Sequence, residues 1–165
     1  MTEDSPLSTG PGQRQGIPYL DDAERERVLN EGDAQQRCWV AMQKDLSQEH
    51  ALRIAADPSA EVAQFLVQGA SNARSLDILA DAHPELALFA AQDPNASPEL
   101  KKQLPFFEHS EYSLSRFAHE VGAGEEQQRE LLQRYRQDYP RGLRSGSPGG
   151  PPLADVWKVI ARSGR

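Results

Sequence analysis

Apolar residues recur along this chain in blocks. Cys38, Ala41 and Met42 stand at i, i+3 and i+4; so do Val62, Phe65 and Leu66, and again Leu86, Phe89 and Ala90. That spacing places three apolar side chains on one face of an α-helix. Each predicted helix is about two turns, too short to persist alone in water, so its stripe must be buried against neighbours. Phe65 and Phe89 are accordingly expected in the core. The blocks are 24 residues apart. Sliding 41–57 forward by that step makes Ser47/Ser71, Leu52/Leu76, Ile54/Ile78, Ala56/Ala80 and Asp57/Asp81 coincide, five identities in seventeen positions. Unrelated sequence of ordinary composition gives roughly one. A fixed period of this size predicts stacked helical units.

The second half of each unit begins with a polar residue. Ser47, Ser71 and Ser97 share one phase, and each can cap the orphan N–H groups of a helix start. Ser97-Pro98-Glu99 is the clearest, with a serine cap, proline at the first helical position and an acid in the first turn. Asp57-Pro58, His83-Pro84, Asp93-Pro94 and Leu104-Pro105 mark the breaks, because proline does not continue a helix interior.

The string Phe89-Ala-Ala-Gln-Asp-Pro-Asn-Ala-Ser-Pro-Glu-Leu100 resembles the repeat of the variant leucine-rich repeat family of bacterial proteins. That unit reads apolar-Ala, Asn/Asp-Pro, then Pro-Glu-Leu-Leu and Leu-Ala. The resemblance covers 37–104 and is strongest in the third repeat; the first two lack both prolines of the motif. It implies an all-α fold, a short right-handed solenoid of alternating α- and 3₁₀-helices without strands. Some members carry a Cys-rich iron–sulfur segment. Cys38 is the only cysteine here, so no cofactor is carried over. The family name implies no single activity.

Around the repeats the pattern changes. Residues 1–18 are rich in Ser, Gly and Pro, with little to bury, and are expected to be disordered. Residues 19–36 hold an acidic helix start and read as an N-terminal cap. Leu114, Phe117 and Ala118 repeat the stripe at a step of 28, which marks a degenerate fourth repeat, 105–140, that ends in a longer helix from Glu125. The Gly/Pro-rich segment 141–152 reads as a flexible linker. Residues 153–165 form a short amphipathic helix striped by Leu153, Val156, Trp157 and Ile160, expected to be an accessory. No apolar run is long enough to span a membrane and there is no secretory signal, so a cytoplasmic location is expected.

Candidate chemistry is sparse. His50, His83, His109 and His119 show no zinc-type spacing, so surface or cap positions are expected of them. Cys38 falls at a core position, where a thiol is inert. No nucleophile elbow, phosphate loop or dinucleotide fingerprint occurs, and the reading is a non-enzymatic chain without cofactor or metal. Residues 1–128 carry a net charge of −12 and residues 129–165 a net of +5. The basic segment, Arg129, Arg134, Arg136, Arg141 and Arg144 with Tyr135 and Tyr139, supports a second reading, contact with nucleic acid.

The first reading is a protein-binding scaffold. With 38, 41 and 42 facing inward, positions 40 and 43 lie opposite, at about 100° per residue. The rows are Val40/Gln64/Leu88 and Gln43/Val67/Ala91, bordered by Lys44/Gln68/Gln92. An uncharged, largely apolar ridge with an amide margin is the composition of a protein-contact patch. Val40, Gln64, Gln68, Leu88 and Gln92 are the predicted contacts. The competing expectation is that terminal segments fold over this ridge.

Overall fold

A computed structural model describes residues 16–69, 71–142 and 149–163. The expected disordered tail, apart from 16–18, and half of the expected linker, 143–148, lie outside the described residues. The fold is all-α: among the described residues there is no strand, only an isolated antiparallel bridge between Pro105 and Pro152. Among them too, no helix is long and apolar enough to cross a membrane. The chain divides into two compact units at Ser71/Asn72.

The first unit contains α1 (Asp22–Glu31), α2 (Ala34–Ala41), α3 (Gln48–Ala55) and α4 (Ala60–Gln64), which tightens into a 3₁₀ turn at Phe65–Gln68. Asp21 and Asp33 start α1 and α2 with reciprocal capping boxes to Glu24 and Gln36. Ser47 caps α3 as its phase predicts. Helix α2 packs against α1, α3 and α4, which explains why more than one of its faces is apolar. Cys38, Val40 and Ala41 are all buried, with Ile54, Val62 and Leu66. Charged ties join the helices. Arg37 grips the buried carboxylate of Asp57 at 2.6 Å and also donates to the Gly32 carbonyl. Arg25, only 2% exposed, reaches Asp45 at 2.7 Å and stacks beneath Tyr19.

The second unit contains α5 (Ala73–Ala82), a 3₁₀ turn at Pro84–Leu86 leading into α6 (Ala87–Ala91), α7 (Pro98–Lys101), a 3₁₀ turn at Phe106–Glu108, α8 (Glu111–Glu120), α9 (Glu125–Gly142) and α10 (Leu153–Ser163). Ser97 caps α7, but α5 is capped by Asn72 in a box with Ser75 rather than by Ser71. The asparagine one residue later supplies the same acceptor. Gly122 adopts φ +70° just after α8, where the Ala123 N–H returns to the Ala118 carbonyl; this left-handed exit ends the helix.

The C-terminal segment corrects the sequence reading. Leu153 and Ile160 are fully buried and Val156 nearly so, in one cluster with Phe106, Leu114, Phe117, Ala118 and Leu131. Trp157 sets its ring edge-on to Phe117 at 5.4 Å. The segment before α10 is bound as an extended strap. Phe106 and Phe107 donate to the Pro151 and Gly149 carbonyls, and Leu153 and Ala154 donate to Leu104 and Lys102. Gly149 and Gly150 have φ of +90° and +72°, and a Cβ on either would fall 2.6 Å from Pro105 or Phe107. These glycines permit close approach, so 149–152 is docked chain, and α10 is core rather than accessory.

Candidate functional site

The surface that stands out lies on the helical run of the third repeat. Pro84 opens a 3₁₀ turn, closed by the Leu86 N–H to the His83 carbonyl, and α6 follows directly. Glu85, Leu88, Phe89 and Gln92 stand at i, i+3, i+4 and i+7 of this run, and all four are exposed. Leu88 is 51% exposed and Phe89 37%. The opposite face is made by Ala90 and Ala91, both wholly buried. Small inward residues let α6 lie close against α5 and α7, with which it packs.

Phe89 was expected in the core, and the reason it is not is geometric. A 3₁₀ turn advances about 120° per residue against about 100° for an α-helix. Three such residues rotate the following helix by about 60° relative to an unbroken α-helix. The stripe Leu86/Phe89/Ala90 therefore slips, and Ala90/Ala91 takes the inner position. Phe65, the first residue of its own 3₁₀ turn, is half-buried, while Val62 and Leu66 are inside as expected.

The predicted ridge does not survive intact. Val40 is wholly buried, as is Ala91, and Gln43 is 6% exposed. Gln43 is enclosed because its amide nitrogen donates to the Pro18 and Trp39 carbonyls and its oxygen accepts from the Leu20 N–H. Pro18 and Leu20 thus close over Gln43, and Val40, on a helix packed against α1, α3 and α4, is removed from the contact set. Gln64 is half-buried in the first unit, and the Gln68 side chain lies outside the described residues. Leu88 and Gln92 remain, both exposed, in the second unit. Glu85 and Phe89, which the predicted ridge did not include, share this exposed stripe with them; the Ala90-Ala91 pair is the sequence signal that locates the inner face.

Two arginines of the basic segment, Arg134 and Arg136, are held in ion pairs. Arg136 forms a two-pronged pair with Glu111 at 2.9 and 3.0 Å, which holds the Glu111 carboxyl below its usual range. Arg134 pairs with Glu130 at 3.2 Å. The Tyr135 hydroxyl donates to the His109 carbonyl, and its ring packs edge-on to Phe106, so it is no stacking platform for a base. Arg129 is exposed. The side chain of Arg141, and Arg144 altogether, lie outside the described residues.

The histidines are more buried than expected: His50, His83 and His109 are inside, and only His119 is exposed. His50 and Arg53 on α3 share Glu26 of α1 at 2.9 and 2.6 Å; Arg53 first, then His50, hold that carboxyl below its ordinary value. His109 meets the Lys101 carbonyl at 3.0 Å. A carbonyl only accepts, so Nε2 carries the proton. Burial then pushes the His109 pKa down to about 4. Lys101 is fully enclosed with Glu120 at 3.4 Å; burial lowers its amine's pKa and Glu120 opposes the shift. Burial likewise raises the Cys38 thiol. Among the described residues no three His, Cys, Asp or Glu side chains converge on a common point.

Compared with known proteins, the chain matches no family model, no curated protein and no solved structure.

Proposed function

We propose that this chain is a non-enzymatic protein-interaction module, built of helical repeats akin to the variant leucine-rich repeat, with its contact face on Glu85, Leu88, Phe89 and Gln92. The observation that carries the reading is the exposure of two adjacent large apolar side chains, Leu88 and Phe89, on a helix whose other face is buried alanine. Single exposed apolar residues are ordinary. A leucine and a phenylalanine side by side, with the Gln92 amide at their margin, have the composition of a small contact patch. The face is small, which suits a transient contact rather than an obligate one. The interleaving of α- and 3₁₀-turns along 60–108 fits the proposed repeat type. The buried thiol and the buried histidines are groups that hold the fold, which supports a scaffold over a catalyst.

Selection of displayed random peptides tests the reading. Sequences enriched on the wild-type chain should lose binding to a Leu88→Ser/Phe89→Ser variant whose helical content and melting temperature are unchanged. Peptides that bind both proteins alike, or no enrichment at all, would remove the support for this face.

A further inference from the structure

We infer that the face formed by Glu85, Leu88, Phe89 and Gln92 takes a basic amphipathic segment of a partner protein, one that sets apolar side chains among lysines or arginines. The inference rests on the reading of this face as a protein-contact surface and adds the chemistry of its partner. Between residues 75 and 100 the chain carries five carboxylates, Asp77, Asp81, Glu85, Asp93 and Glu99, and no lysine or arginine. Three of these are already engaged: Asp77 accepts from the Ser97 hydroxyl at 2.6 Å, Asp93 accepts from the Asn95 N–H at 2.7 Å, and Glu99 pairs with Lys102 at 2.7 Å. Glu85 stands on the contact stripe itself with its side chain 62% exposed; its ionic neighbour is His83, 3.6 Å away. Asp81 is exposed on the last turn of α5, the helix that packs against α6 and its lead-in turn.

The apolar pair provides the contact, and Glu85 on the same stripe, with Asp81 on the helix packed against it, selects the sign of the partner. Charges at the rim of an interface act mainly on specificity and approach rate. An acidic segment would set like charges against Glu85 and Asp81, a neutral one would leave them as they are, and a basic one would compensate them. An amphipathic helix presents its apolar side chains at i, i+3 and i+4 with polar residues alongside. Leu88 and Phe89 can meet such a stripe while Glu85 and Asp81 meet the flanking cations.

The test uses three labelled helical peptides with one shared apolar stripe and a polar face made of Lys, Gln or Glu, titrated by fluorescence anisotropy. On the full chain the Lys peptide should bind about tenfold more tightly than the Gln peptide, and the Glu peptide most weakly. Raising salt from about 50 to about 300 mM should erode the Lys preference, since exposed pairs are screened. Asp81→Asn/Glu85→Gln should make the Lys and Gln peptides equal without abolishing either. A Leu88→Ser/Phe89→Ser chain should bind none of the three. Equal binding of all three peptides to wild type, or preference for the Glu peptide, overturns the basic partner while the contact face stands. Undiminished Lys-peptide binding to the Leu88→Ser/Phe89→Ser chain, or no binding of any peptide to wild type, overturns the face itself.

Discussion

Neighbouring residues of α10 should behave in opposite ways when truncated. Ile160 is wholly buried in the cluster with Phe106, Leu114, Phe117 and Leu131, while Val159 is 52% exposed. Ile160→Ala removes methyl and methylene groups from an enclosed site and leaves a cavity, for which about 3 kcal/mol is expected. Val159→Ala loses little burial and gains slightly in helix propensity, so it should stay within about 0.5 kcal/mol of wild type. Urea titration followed by tryptophan emission reads the difference. The chain has two tryptophans, so a Trp39→Phe background leaves Trp157, which lies against Phe117 in this cluster, as the reporter. With a urea slope of about 1.5 kcal/mol/M, Ile160→Ala should lower the midpoint by about 2 M. Equal midpoints for the two variants would mean that α10 is not packed in the core, as would a midpoint for Ile160→Ala that matches wild type.

Other residues give further tests. His109 titrates at about 4 in the fold and near 6.5 when unfolded; the unfolded chain then binds more protons between those values, so stability is full above pH 6.5 and falls by about 3 kcal/mol as pH drops toward 4. His109→Gln, which keeps a donor for the Lys101 carbonyl, should flatten that part of a urea-midpoint profile against pH; an unchanged slope would refute the assignment. Arg37→Met leaves the 5%-exposed Asp57 carboxylate without its cation and should cost about 3 kcal/mol by the same denaturation assay. Asn72→Ala should cost about 1 kcal/mol; unchanged stability would remove Asn72 as the cap of α5. Gly150→Ala, which meets Phe107 at a positive φ, should destabilise by more than about 1 kcal/mol in thermal melts.

The helices were legible because they obey local rules. Ser47 and Ser97 cap where their phase places them, the prolines at 58, 84, 94 and 105 all fall outside α-helices, and Leu114, Phe117 and Ala118 are all fully buried. What was not legible depends on distant chain. The Gly-Gly-Pro-Pro stretch has a linker's composition, yet Gly149 and Gly150 serve close approach to Pro105 and Phe107, 44 and 43 residues upstream. Composition counts glycines without saying whether they are loose or tightly approached. In the same way nothing local in Gln43 reveals that Pro18 and Leu20 will close over it.

The proposed contact face shows how a small error of phase moves a functional reading. Counting 100° per residue from Cys38 and its equivalents put Val40 and Leu88 in one exposed row. Yet Val40 sits on a helix that packs against α1, α3 and α4, where an outward direction is not an open one. Leu88 sits after a 3₁₀ turn, where each residue turns farther, so its neighbour Phe89 swings outward with it. Proline explains the difference between the repeats. Pro84 lacks an N–H and begins a tight turn, whereas Ala60, one repeat earlier, begins an α-helix directly. A change that restores an α-helical start in the third repeat should therefore turn the face back inward. Pro84→Ala is that change: if the 3₁₀ lead-in sets the rotation, a partner that needs Phe89 should bind the variant more weakly while Leu88→Ser alone weakens wild type. Unchanged binding by Pro84→Ala would mean that the alanine packing on the inner face, rather than the turn, fixes the orientation of α6.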